Sequence, residues 1–167
     1  AIVGAGGIGF DVAEYLVANG PSATLNPAEW RKEWGVGDPA ETPGGLCEPR
    51  PEPPAREVWL LQRKAEKPGL GLGKTTGWIH RAALAAKGVK MLGGVSYERS
   101  TCEGLWITRD GQPQLLAVDD VVLCAGQNPQ RELQAELLEA GCSVHLIGGA
   151  DQAVELDAKR AIKQGTE

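Results

Sequence analysis

The sequence predicts an α/β fold with a parallel sheet and a small antiparallel meander. Three observations carry this. A short apolar run at residues 1–3 enters a glycine-rich turn that opens a helical pattern. Further apolar runs at 58–61 and 89–92 alternate with helical patterns, the signature of parallel strands joined by crossovers. Between residues 95 and 118 the period changes to two, with Asp110-Gly111 as a hairpin turn.

The opening turn is Gly4-x-Gly6-x-x-Gly9. Strand, glycine turn and helix in that order are the context of the dinucleotide-binding fingerprint, so the fold expected is Rossmann-like. Gly4 allows the tight turn, Gly6 lets backbone approach a pyrophosphate, and Gly9 lets helix and strand pack closely. The free N–H groups where the helix starts, through Gly7 and Ile8, then stabilise phosphate together with the helix dipole.

Charge and composition bound the alternatives. The 167 residues carry a formal net charge of -5, and no run of Lys and Arg offers a nucleic-acid footprint. Forty-two per cent of the residues are hydrophobic, enough for a core, but no apolar span has membrane length and no signal peptide is visible. The chain opens at or inside a strand, which reads as a cut from a longer polypeptide. Cys47, Cys102, Cys124 and Cys142 form no CxxC or metal spacing, so no metal site is expected. Cys124 and Cys142 read as inert core residues, and a cytoplasmic location follows from the absence of a disulfide pattern. His80 and His145 are too far apart for a metal site; a surface role is expected for His80 and a solvent-leaning strand position for His145.

In chain order, Phe10, Ala13, Tyr15, Leu16 and Val17 give a helical apolar stripe, ended by Asn19-Gly20-Pro21. Residues 22–56, with seven prolines, read as an irregular insertion holding one capped helix near Asn26-Pro27, with Trp30 and Trp34 on one face. Residues 57–63 are the deferred second strand, ending in Gln62-Arg63-Lys64. An acid at that strand end would favour the ribose 2′-hydroxyl of NAD; the cationic pair favours the 2′-phosphate of NADP. Residues 68–76 mimic a P-loop, but Pro68 stands where its first glycine belongs, so a triphosphatase is rejected. The glycines there suit a flexible loop over the cofactor, with Lys74 near the phosphates. A helix over 76–87, a strand at 89–92, the meander and a buried strand at 121–126 follow. Then come a helix over 130–139, a last strand at 144–147 that runs into Gly148-Gly149-Ala150-Asp151, and a helix from 154 to 163.

Taken whole, the chain resembles the C-terminal part of the bacterial NADPH-dependent 2,4-dienoyl-CoA reductases, among the old-yellow-enzyme-related flavoproteins that include trimethylamine dehydrogenase. The stretches that carry this are residues 1–11, Leu60-Leu61-Gln62-Arg63-Lys64, residues 71–81, residues 122–129, His145-Leu146-Ile147-Gly148-Gly149-Ala150-Asp151 and residues 155–162. The resemblance implies an NADP-binding domain over 1–125, and the return segment of an incomplete FAD-binding domain over 126–167. It implies that Gly4, Gly6 and Gly9 hold the NADPH pyrophosphate and that Arg63 and Lys64 hold the 2′-phosphate. Gly126 would lie beside the cofactor, and Asp151 would mark a partial FAD site. FMN, a [4Fe-4S] centre and the barrel that carries them would lie in the same polypeptide, outside this chain. The implied task is to position NADPH for hydride transfer to FAD, in reduction of 2,4-dienoyl-CoA during unsaturated fatty acid β-oxidation. No catalytic residue is assigned, since hydride delivery needs no acid or base here; Asp11, Glu14 and Asp157 read as helix-surface charges. By itself the fragment is expected to be inactive. The alternatives are a non-catalytic NADP(H)-sensing domain, or the NAD(P)H domain of another trimethylamine-dehydrogenase-like enzyme.

Overall fold

A computed structural model describes residues 1–154 and 158–167. It forms two compact units, Ala1–Ala125 and Gly126–Glu167.

The first unit is a Rossmann-like α/β fold. Its parallel sheet has strand order β3-β2-β1-β7, from β1 (Ile2–Val3), β2 (Trp59–Leu61), β3 (Lys90–Leu92) and β7 (Val122–Leu123). The register sets Ile2 opposite Leu60 and Val122, and Val3 opposite Leu61 and Leu123. Alternation then sends Ile2 and Leu60 to one face, Val3 and Leu61 to the other. The two crossovers, β1 to β2 and β2 to β3, run in the same direction along the sheet. The usual right-handed connection therefore puts α1 (Gly7–Val17) and α3 (Gly77–Ala86) on one face. There Phe10, Ala13, Val17, Leu84 and Val89 close over Ile2 and Leu60. The opposite face is covered by the meander β4 (Val95–Thr101), β5 (Gly104–Arg109) and β6 (Gln112–Leu116), through Val95, Leu105, Ile107 and Leu116. Both faces of the strands are thus apolar, which is why they read as continuous apolar runs. Each buried Leu, Ile or Phe side chain contributes about 1.5–3 kcal/mol.

At the hairpin, Asp110 and Gly111 both take positive φ (52° and 73°), the geometry for which Asp-Gly is chosen. The insertion at 22–56 is more ordered than its composition suggested. It holds α2 (Pro27–Trp34), whose first turn is capped by Asn26 Oδ1 accepting from Ala28 N–H (3.0 Å). Two short 3₁₀ turns (Ala23–Leu25 and Pro43–Gly45) and a Val36–Leu46 bridge shape the rest. The Trp30 and Trp34 rings lie 6.4 Å apart on one face, as expected.

The second unit holds α4 (Glu132–Glu139), α5 (Gly148–Asp151) and α6 (Ala158–Thr166). Three expectations change here. Residues 144–147 form no strand, because no ladder partner exists for them among the described residues of this unit. Gly148–Asp151 forms the short helix α5. Val154 lies in a bend, and α6, described from Ala158, runs past Lys163 to Thr166. The helical reading of Glu155, Leu156 and Asp157 falls outside the described residues. Cys142 is exposed rather than core. It follows Gly141 (φ 78°) in a Schellman ending of α4, its N–H donating to Leu137 O at 3.0 Å, and that turn position points to solvent.

Candidate functional site

A crevice of about 300 Å³ opens where β1 and β2 end. It is lined by the Gly4–Gly7 turn, by Gln62, Arg63, Lys64 and Glu66 after β2, and by Gly69–Leu72, Tyr97 and Ala125. All belong to the first unit. Strand ends flanking β1 are where an open α/β sheet presents its ligand crevice.

The three fingerprint glycines have distinct causes. Gly4 has φ 114°, and a Cβ there would stand 2.5 Å from Cys124 O. Its constraint is the close pass of the chain leaving β7, beyond the tight turn read from sequence. A Cβ on Gly9 would fall 1.9 Å from Gly4 O and 3.4 Å from Leu60 Cδ1, so helix and strand meet with no room for a side chain. A Cβ on Gly6 would meet nothing within 4 Å. Packing does not explain that glycine; open space above the turn is what a ligand's approach requires. The first backbone bond of α1 is Phe10 N–H to Gly6 O (3.1 Å), which leaves the N–H groups of Gly7, Ile8 and Gly9 as the helix's orphan donors. Ile8 itself is half-exposed and lies outside the crevice lining.

Arg63 and Lys64 both line the crevice that Gly6 and Gly7 also line. Lys64 Nζ is 3.6 Å from a Glu66 carboxylate oxygen, an exposed pair of little energetic weight. The Gln62 side chain, given no role by the sequence reading, donates through Nε2 to Lys64 O (3.2 Å) and Glu66 O (2.7 Å).

The glycine loop after β2 differs from its sequence reading. Its crevice edge is pinned: Arg81 Nη1 donates to Gly69 O (2.8 Å), Trp78 Nε1 donates to Thr75 O (3.1 Å), and Gly69 (φ 80°) sits so close to the Phe10 ring that a Cβ would be 2.6 Å from it. Lys74 is exposed and outside the lining, on the turn leading to α3.

Tyr97 was also missed. It pairs in regular register opposite Ile107, on the face of β4 that also carries Val95, before the register shift between Tyr97 and Arg99. Burial raises the Tyr97 phenol above its ordinary value of 10.0, and the positive charge of Arg63 works against that rise. The neutral phenol is favoured by folding, so this contribution is complete below pH 10 and is lost as pH climbs through the raised value. In a Tyr15→Phe protein, where Tyr97 is the one tyrosine left, ultraviolet phenolate absorbance should develop at a pH above 10 and return to the ordinary midpoint in denaturant. A folded-state midpoint at or below the ordinary value contradicts the placement of Tyr97.

A larger cavity, about 670 Å³, lies where α1 ends, away from the glycine turn, between the helices and the insertion. Its charged groups are largely paired among themselves. His80 Nδ1 is 2.6 Å from Glu14 Oε1, which ties α3 to α1, so neither is the plain surface residue expected. Lys87 meets Glu33 at 3.3 Å.

In the second unit, Gly126 has φ 79° at the first position. The Asp151 carboxylate accepts from Gln164 Nε2 (2.9 Å), and Gly148 N–H donates to Gln164 Oε1 (2.8 Å). The Arg131 guanidinium donates to Ala150 O (2.7 Å) and to Asp151 O. These groups are satisfied by protein, and no second glycine cradle like Gly4–Gly9 stands among the described residues of this unit. Among the described residues no helix is long and apolar enough to cross a membrane.

No family model matches the chain. Among solved structures it is similar to 2-naphthoyl-CoA reductase in complex with 2-naphthoyl-CoA, with TM-score 0.65 and 17% identity over 98% of this chain and 19% of that one. It also matches bacillithiol disulfide reductase from Bacillus cereus, with TM-score 0.40 and 20% identity over 54% of this chain and 26% of that one. An engineered water-forming NADPH oxidase bound to NADPH matches with TM-score 0.42 and 19% identity over 81% of this chain and 22% of that one. The first likeness is one of fold; the other two are too distant to carry an argument. The chain spans about a fifth of the length of the naphthoyl-CoA reductase.

Proposed function

We propose that Ala1–Ala125 is the NADPH-binding module of a flavoprotein oxidoreductase, and that it holds NADPH for hydride transfer to a flavin. The observation that carries this reading is that one crevice is lined both by the open glycine turn at Gly6 and Gly7 and by the cations Arg63 and Lys64. The residues fit the group: Gly6 leaves the approach clear, the orphan amides of α1 suit the pyrophosphate, and the cation pair suits a dianionic 2′-phosphate. When bound, NADPH supplies a hydride from its nicotinamide. The chain's own part is to bind the adenine-ribose end and fix the direction in which the rest of the cofactor leaves the crevice. No side chain in the lining is required to move a proton.

The finer reading is that the electrons serve reduction of a conjugated acyl-CoA, as in the dienoyl-CoA reductases, during unsaturated fatty acid β-oxidation. It is supported by the sequence resemblance over the whole chain. A fold that follows an acyl-CoA reductase over 98% of the chain agrees with it. In this reading Gly126–Glu167 is the return segment of the FAD domain, with Asp151 at the FAD ribityl or pyrophosphate position, and FMN and a [4Fe-4S] centre belong to the barrel of a longer assembly.

Titration with NADPH and NADH, followed by nicotinamide fluorescence, tests the module. NADPH should bind at least tenfold more tightly. Equal affinities, or a preference for NADH, would overturn the assignment of Arg63 and Lys64.

A further inference from the structure

We propose that Gln62 is the positioning residue that sets Arg63 and Lys64 for recognition of the 2′-phosphate. The inference rests on the reading of the crevice given above and names the device that makes it selective.

The backbone of Gln62 is fixed from both sides: its N–H donates to Leu92 O (2.9 Å), and its C=O accepts from Val95 N–H (3.0 Å). From that anchored point its side chain folds back over the loop it begins. Lys64 O and Glu66 O are carbonyls and only accept, so the amide must turn its NH₂ towards both, and the orientation of the amide follows from chemistry. Lys64 O is shared with Gly94 N–H (2.8 Å). Behind the loop there is no slack. A Cβ on Gly93 would lie 2.5 Å from Glu66 O and 2.9 Å from Lys64 O. Residues 63–66 therefore wrap around one amide and rest on one glycine.

The consequence concerns the two cations. Their side chains are long and exposed, and Lys64 has a competing partner in Glu66. Ordering two such chains on one phosphoryl group costs rotamer entropy. A backbone already held at the right spacing removes part of the remaining cost, which is the advantage of preorganisation. NADH, lacking the phosphate, gains nothing from that order. Gln62 should thus act on the affinity for NADPH and leave that for NADH nearly unchanged, so that the ratio of the two falls when it is removed.

Gln62→Met, close in length but without donors, tests this in the full chain. Dissociation constants for NADPH, NADH and adenosine 2′,5′-bisphosphate should be measured together. NADPH and the bisphosphate should weaken about tenfold, with NADH within twofold of the unaltered protein, and exchange of the Gly94 amide should quicken. An equal loss for NADPH and NADH, or no change in their ratio, overturns the proposal in favour of a merely structural residue. A measurement on the unaltered protein covers the case of a variant that does not fold. The Gln62 side-chain NH₂ protons should be protected from exchange and should shift on bisphosphate binding; free-amide behaviour counts against the clamp. Failure of the crevice reading is separable, because then the unaltered protein itself shows no preference for NADPH.

Discussion

Gly9→Ala is expected to cost the first unit about 3 kcal/mol or more of stability, and to abolish binding of NADPH and NADH alike. The new Cβ would fall 1.9 Å from Gly4 O, a backbone atom that cannot swing aside as a side-chain tip can. Either α1 lifts from β1 or the Gly4 turn opens. Lifting uncovers Phe10 and Ala13, both fully buried between helix and sheet. Overpacked cores typically lose about 1–3 kcal/mol, and a clash with rigid backbone belongs at or beyond the upper end. Thermal unfolding should shift down by roughly 10 °C for a unit of this size. Gly6→Ala is the control that separates fold from ligand. Nothing lies within 4 Å of its added methyl, and its φ of -85° is open to alanine. Stability should stay within about 0.5 kcal/mol, as for an unencumbered surface change. Affinity should still fall at least tenfold, because the methyl stands where the pyrophosphate approaches. A Gly6→Ala protein that binds NADPH normally would remove the turn from the site. A Gly9→Ala protein of ordinary stability would contradict the packing of α1 on β1.

These two glycines show what was legible in the sequence and what was not. The fingerprint is a local rule: strand, turn and helix adjoin in the chain, so spacing alone identifies them. The same holds for Asn26 at its helix start and Asp110-Gly111 at its hairpin, where chemistry within a few residues decides. What escaped depends on contacts between distant segments. Gln62 matters because β3 and the start of β4 bring Gly93 and Gly94 under its loop. Tyr97 shares the inward face of Val95 by plain alternation, but that this face ends at the crevice depends on how the meander lies against the parallel sheet. Lys74 follows the glycines in sequence, but contacts of Arg81 and Phe10 with Gly69 hold the loop's near edge, and Lys74 itself is not among the lining residues. At residues 144–147 the apolar alternation is real, but a strand needs a neighbour to pair with, and no local pattern supplies one. Even the helix over 130–139 was readable mainly as a period; its Schellman ending, which turns Cys142 outward, depends on Gly141 taking a left-handed conformation.

Arg63→Ala with Lys64→Ala should weaken NADPH binding by about 2–4 kcal/mol, roughly 30- to 900-fold, and leave NADH nearly unchanged. Each cation offers charge-assisted bonds to a phosphoryl group, and together they meet its second negative charge. Both are exposed, so bulk salt competes with them. The selectivity should therefore shrink as ionic strength rises, while the backbone contacts at Gly6 and Gly7 feel salt less. Three nearby groups set the direction of related changes. Glu66, 3.6 Å from Lys64, contends with the phosphate for the same ammonium. The Tyr97 phenol is neutral near neutral pH and burial pushes its value further up, so it adds no repulsion. The Gln62 amide holds the loop carbonyls whether or not the cations are present, so the double variant should keep its fold and its Gly94 protection. That combination, an intact loop with lost NADPH preference, is what charge recognition at a preformed edge requires. An equal fall for both cofactors would mean instead that the substitutions disturbed the crevice wall. Adenosine 2′,5′-bisphosphate would then lose no more affinity than adenosine 5′-phosphate, and the strand-end cations could not be the source of discrimination.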